Sequence, residues 1–241
     1  GLVDGGLDVP DALRKISFRL VADDDQFMTI AKFRAARQLW ARIADVLGQP
    51  DGGATRLHAV TSLPMMAQRD PWVNMLRTTL AAFGAGVGGA DTVQVLPFDV
   101  AIPDGFPGIR PAFSRRIARN TQLLLQQESG TCRVIDPWAG SAYLEKLTEQ
   151  LATRALGHLE EVQAAGGMAR AIEAGLPKLR VEEAAARTQA RIDAGRQPLI
   201  GVNSYRVDDE VQPEVLRVDN AKVREQQIAK LRRLRAERDE A

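Results

Sequence analysis

Phe113, Ile117, Thr121, Leu124 and Leu125 recur at helical spacing, which predicts an amphipathic helix with one face to bury. Ser114 stands where an N-cap would, and Arg115, Arg116 and Arg119 flank the apolar line. Gln126, Gln127 and Glu128 come just before Ser129-Gly130, where such a helix stops. Upstream, the acidic run 23–25 caps a long helix over Gln26–Leu47, ended by Gly48 with Pro50 beyond. Residues 9–20 read as a short helix running into a strand at Ile16–Leu20, and 49–55 as a loop. Leu57–Thr61 and Thr92–Leu96 alternate as strands do. Between them, 70–83 reads as a helix with Asp70 as N-cap and Pro71 at its first position. Gly84, Gly86, Gly88 and Gly89 loosen the end of that helix.

Three strands alternating with three helices predict parallel βαβ units, too few to close a barrel, with two sheet edges left open. After Pro137 the pattern turns helical and Ala-rich, over 141–164, 167–174 and 180–194. Residues 199–203 and 215–219 are short strand candidates, and 220–238 forms a last helix. Lys plus Arg (32) nearly balances Asp plus Glu (31), so no global field recruits nucleic acid or an anionic membrane. The basic run near the C-terminus is interrupted by Glu225, Glu237 and Asp239, and reads as a solvated face. A single cysteine, Cys132, leaves no intrachain disulfide to form and points to a reducing, cytoplasmic setting. No run approaches the ~18 apolar residues of a membrane span. The start at Gly1, inside a loop, favours a fragment or processed chain.

The segment FSRRIARNTQLLLQQESGTCRVIDPW (113–138) resembles the adenosylcobalamin-dependent acyl-CoA mutases, the methylmalonyl-CoA mutase family in particular. AKFRAARQLWARIADVLG (31–48), RDPWVNMLRTTLAAF (69–83), residues 166–203 and KVREQQIAKLRRLRAERD (222–239) carry the resemblance along nearly the whole chain, in order. It implies an α/β fold in which residues 1–138 are the last three βα units of a TIM-type (β/α)8 barrel. Residues 139–241 would then be a helical connector leading to a cobalamin-binding domain. The implied holoenzyme converts (R)-methylmalonyl-CoA to succinyl-CoA by radical rearrangement. Catalytic members resemble TSGWSLT after the second of these strands and TQSLHTN at the third, where this chain has TSLPMMAQ (61–68) and DTVQVLPFD (91–99). Those replacements resemble the small, non-catalytic subunit, whose role would be to pair with the catalytic subunit without itself holding adenosylcobalamin. The alternatives are a truncated catalytic chain, for methylmalonyl- or isobutyryl-CoA, and a helical binding module without enzymatic activity.

Barrel active sites lie at strand C-terminal ends, here Arg19–Asp23, Thr61-Ser62 and Pro97–Asp99. Thr61 and Ser62 could bond a phosphate or carbonyl of a CoA-like ligand, although an N-cap or turn role before Pro64 is the more ordinary reading. Asp99 has no histidine or second carboxylate nearby and reads as a turn residue. The resemblance implies a place for Glu128 beside the adenosyl face in a catalytic chain, and a helix-end cap in a small subunit. His58 and His158 lie far apart without a second ligand at metal spacing, so no metal site is expected. Neither stands in the D-x-H-x-x-G context of an axial cobalamin ligand. Trp40, Trp72 and Trp138 read as core or interface anchors.

Overall fold

A computed structural model of the chain describes residues 1–103, 105–208 and 220–238. Helix α1 (Val9–Arg14) leads to strand β1 (Phe18–Ala22), and α2 (Gln26–Val46) crosses over to β2 (Leu57–Thr61). Helix α3 (Val73–Val87) crosses to β3 (Thr92–Gln94), and α4 (Pro111–Gln127) follows. The three strands form one parallel sheet in the order β1-β2-β3, with Phe18 opposite Leu57 and His58 opposite Thr92. Among the described residues β1 and β3 each keep one unpaired edge.

Strand alternation decides what is buried. Ala22, Leu57 and Ala59 face the helices and pack with Phe33, Ala81 and Ala85, and Phe18 and Leu20 complete that layer. Arg19, Val21, His58 and Gln94 alternate onto the opposite face. There Arg19 Nη2 donates to Gln94 Oε1 at 2.9 Å, and the His58 ring meets Thr92 Oγ1 at 2.5 Å. Helix α2 starts as expected, with Asp25 Oδ1 accepting the Met28 N–H at 3.2 Å. Trp40, lower on the same helix, meets Phe18 edge-on at 5.0 Å beside Leu13 and Ala44.

The later chain forms α5 (Ala142–Ala164), α6 (Met168–Glu173), α7 (Leu176–Asp193) and α8 (Asn220–Glu237). Helix α5 lies against α2. Arg34, with its side chain only 13% exposed, reaches both Asp136 oxygens at 2.5 and 2.6 Å and Glu145 at 3.2 Å. Phe27 meets Trp138 and Tyr143 edge-on. The described side chains of α8 are exposed, as a solvated face requires.

Several local expectations shift. The helix expected at 70–83 spans Val73–Val87, because Asp70 sits at φ +43° in the preceding turn and no side chain caps the start. Gly84 and Gly86 do not loosen its end. They lie inside the helix, and Gly84 lets it approach Gln26 O and Thr29 of α2. Ser114 is an interior residue of α4, which opens at Pro111, and its hydroxyl donates back to Pro111 O. The buried line of α4 is Ser114 and Ala118, small residues that let it close on α3, while Phe113 and Leu124 stay more than 40% exposed. Strand β1 lies two residues later than expected and β3 ends at Gln94, short of Leu96. Pro50–Gly53 forms a 3-10 turn, and α7 begins at Leu176. Residues 199–203 make a turn closed by the Ile200–Ser204 bridge instead of a strand, and 215–219 lie outside the described residues.

Candidate functional site

The carboxyl ends of β1 and β2 deliver Asp23, Asp24 and Ser62 to one polar cluster. Strand β1 ends at Ala22, whose carbonyl accepts the Ser62 N–H at 2.7 Å, so the two strand exits are held side by side. The Thr29 hydroxyl donates to Asp23 O and accepts the Asp23 N–H, both at 3.0 Å, which fixes the turn between β1 and α2. Burial pushes the Asp23 carboxyl up, but hydrogen bonds from Asp24, Ser62 and the main chain outweigh it and leave Asp23 below its ordinary value. Asp24 moves the other way, up to about 7, through burial first and then through its hydrogen bond and repulsion with Asp23. The Asp24 N–H donates to Asp23 Oδ1 at 2.9 Å, which keeps the two residues together in the turn. Lys32 of α2 faces Asp23, and burial lowers its ammonium.

Helix α3 closes the cluster from the other side. Asn74 is fully buried; its Oδ1 accepts the Ala67 N–H, and its Nδ2 donates to Ala67 O and to Phe98 O, both at 2.8 Å. This one side chain ties the loop after β2 to the loop after β3. One turn on, Arg77 is 5% exposed, donates to Asn74 Oδ1 at 2.7 Å, and reaches Ile200 O at 2.8 Å. Burial lowers its guanidinium, an effect partly offset by the charges of Asp24 and Asp70. The loop after β3 is filled by rings: Phe98 stacks on Trp72 at 5.2 Å and meets Phe113 edge-on, and Phe106 lies against Trp72.

The expected residues are only partly brought together. Thr61 and Ser62 do lie at the carboxyl end, 1% and 3% exposed. Thr61 Oγ1 accepts the Leu96 N–H at 2.9 Å, and Ser62 bonds Asp23. Asp99 is buried in the loop after β3, its carbonyl accepting the Ile102 N–H in a turn. Glu128 lies at the opposite end. Helix α4 runs antiparallel to β3, with Phe113 near Phe98 and Gln126 beside the groove at Ala90–Val93. Its last residues therefore reach the amino ends of the strands, where exposed Glu128 is the C-cap residue and its N–H donates to Leu124 O. His158 pairs with Glu161 on α5, and no three potential metal ligands cluster among the described residues. Asn74 and Arg77 were not singled out from sequence. Their signal was a large polar pair three positions apart on a helix face otherwise made of the small residues Thr78, Ala81, Ala82, Gly84 and Ala85.

The profile of the methylmalonyl-CoA mutase family matches residues 1–241. A probable methylmalonyl-CoA mutase small subunit of Mycobacterium tuberculosis (strain ATCC 25618 / H37Rv) is 61% identical over 206 residues, covering 85% of this chain and 33% of that protein. The methylmalonyl-CoA mutase large subunit of Streptomyces virginiae is 53% identical over 240 residues, 99% of this chain and 32% of that protein. The methylmalonyl-CoA mutase of Escherichia coli (strain K12) is 44% identical over 241 residues, 99% of this chain and 33% of that protein. The chain thus spans about a third of the length of the relatives it matches. By the match along its whole length and by these identities, the chain belongs to the methylmalonyl-CoA mutase family.

Proposed function

We propose that this chain is part of a small, non-catalytic mutase subunit that supports a catalytic subunit in the cytoplasmic isomerisation of (R)-methylmalonyl-CoA to succinyl-CoA. In this reading residues 1–138 are the last three βα units of a (β/α)8 barrel, and residues 139–241 are the connector towards a cobalamin-binding domain. The observation that carries it is the state of the carboxyl ends. Barrel enzymes place substrate-binding groups there. Here the Thr61 hydroxyl is committed to Leu96 N, Phe98 is packed among Trp72, Phe106 and Phe113, and the charged groups satisfy one another. These side chains do not fit a cobalamin site: His58 is engaged by Thr92, and His158 lies on α5 with Glu161. The higher identity to a small subunit (61%) than to the Streptomyces large subunit (53%) supports the same reading.

Within it, Thr61 and Ser62 brace the strand exits and do not contact acyl-CoA, and Glu128 ends α4. Adenosylcobalamin, which supplies the radical chemistry when bound, is assigned to the catalytic partner. The test uses the full-length polypeptide carrying this sequence, purified with and without a catalytic mutase subunit. The expected result is a stable complex that isomerises the substrate, and no stoichiometric adenosylcobalamin absorbance on the folded polypeptide alone. Stoichiometric uptake with substrate-dependent Co–C cleavage by that polypeptide alone would overturn the reading in favour of a catalytic chain.

A further inference from the structure

The turn at 199–204 comes back to the carboxyl end of the sheet, where Ile200 lies 123 positions beyond the arginine that receives it. Asn203 sets the shape of the turn: its Oδ1 accepts the Leu199 N–H at 2.6 Å, and its Nδ2 donates to Ile192 O and Gln197 O. Two contacts seat it. Arg77 Nη2 donates to Ile200 O at 2.8 Å, and Gly201, at φ +80°, lies so close to Asp70 that a Cβ there would stand 2.7 Å from the Asp70 Cβ. Helix α7, which leads into this turn, buries none of its described residues, so the seat anchors that part of the connector.

The same arginine reaches inward. Its Nη1 donates to Asn74 Oδ1 at 2.7 Å, and Asn74 in turn accepts the Ala67 N–H and donates to Ala67 O and Phe98 O. Gln68 Nε2 donates to Ala101 O at 2.9 Å, so the loops after β2 and β3 are also tied to each other. One line of hydrogen bonds therefore runs from the connector, through Arg77 and Asn74, to both rim loops. We propose that this line is a coupling element: seating of 199–204 orders the loops after β2 and β3, and lifting it loosens them. The cause is the burial of the two side chains, Arg77 at 5% exposure and Asn74 at 0%. A buried guanidinium N–H that loses its carbonyl keeps the cost of desolvation without a partner. Arg77 then turns out to the water that the departing turn admits, and its bond to Asn74 Oδ1 goes with it. The Asn74 amide, no longer pinned, releases Ala67 and Phe98 more often. Such coupling is reciprocal. A partner that draws the connector off the rim loosens the loops, and a ligand that orders the loops tightens the seat.

The test is hydrogen exchange of Gly201→Ala against the parent, in the full-length polypeptide carrying this sequence. The substitution changes neither Arg77 nor Asn74, and both the positive φ and the Asp70 contact make it unseat the turn. The expected result is lost protection in 196–206 together with about a fivefold loss in 63–68 and 97–102, while β2 and α2 keep the parent's protection. The Ala67 N–H, which Asn74 holds directly, reports the far end of the line. Arg77→Met should loosen the same two loops, and Gly201→Ala added to it should loosen them no further. Loosening confined to 196–206 would overturn the coupling. So would unchanged protection in 196–206, or a loss that extends equally to β2 and makes the turn part of the global folding unit. These readings come from a chain that keeps Arg77 and Asn74, so a folding defect in Arg77→Met does not protect the proposal.

Discussion

Two glycines two positions apart on the end of α3 should respond oppositely to the same substitution. A Cβ on Gly88 would stand 3.0 Å from Ile30 Cα and 3.2 Å from Ile30 O of α2, and 2.8 Å from Gly84 O in its own turn. These are main-chain atoms, so no side-chain rotation relieves the contact and the two helices must part. Overpacking of this kind costs about 1–3 kcal/mol. The φ of Gly88 is −76°, so alanine meets no backbone strain there and the penalty is one of space. Gly86 has nothing within 4 Å of its would-be Cβ. Near a helix end, Gly86→Ala should return part of the ~1 kcal/mol helix-propensity difference, about 0.5 kcal/mol of added stability. Urea unfolding followed by far-UV circular dichroism on the two variants and the parent measures both. The expected order of midpoints is Gly86→Ala above parent above Gly88→Ala. A Gly88→Ala midpoint at or above that of the parent would refute the α2–α3 contact as the limit on helix approach.

The remaining predictions concern the site and its supports. Asp24 holds its proton in the fold up to about pH 7, whereas the unfolded chain loses it near the ordinary Asp value. Asp24 therefore stabilises fully at low pH, and its contribution falls as pH rises through that window. Asp24→Asn should flatten this dependence, gaining about 1 kcal/mol relative to the parent by pH 7 after screening of a half-exposed group, measured as unfolding midpoints against pH. Asp23, whose carboxyl is lowered, acts with the opposite sign and loses its contribution only in acid. Asn74→Ala leaves the Ala67 N–H, two carbonyls and Arg77 short of a partner, and should cost about 3 kcal/mol in denaturant unfolding. Arg34→Met should weaken the docking of α5 on α2, seen as faster proteolysis within 140–165 while the sheet stays intact.

The elements were legible where local chemistry alone decides them. Asp25 caps α2 because an acidic side chain precedes a long helical pattern, and Leu57–Thr61 is a strand because its alternation is unbroken. The starts of α3 and α4, neither with a side-chain cap, were misplaced. Asp70 and Ser114 are good capping residues by type, yet tertiary packing put one in a left-handed turn and the other inside a helix. The position of Thr61 and Ser62 at the carboxyl end of the sheet was legible, because the unbroken alternation of 57–61 places the strand's end there. Asn74 and Arg77 were hidden because their partners, Phe98 and Ile200, are distant in sequence. Glu128 was read as a helix-end cap in a small subunit, with a place beside the adenosyl face only in a catalytic chain, and it stands as the C-cap residue of α4. Which end of the sheet that cap faces depends on the direction of α4, which letters do not carry.

The strand order has a kinetic consequence. Phe18 pairs with Leu57 and His58 with Thr92, so every pairing in this sheet joins strands separated by an entire helix. No hairpin can nucleate it, and the central strand gains neither neighbour until a crossover has closed. The expected nucleus is therefore the α2–α3 crossing, at Thr29, Ile30, Gly84 and Gly88, which refolding rates of variants there would check. Substitutions at that crossing should slow refolding, whereas changes at the Asn74–Arg77 knot, completed last by a turn from the far end of the chain, should chiefly speed unfolding.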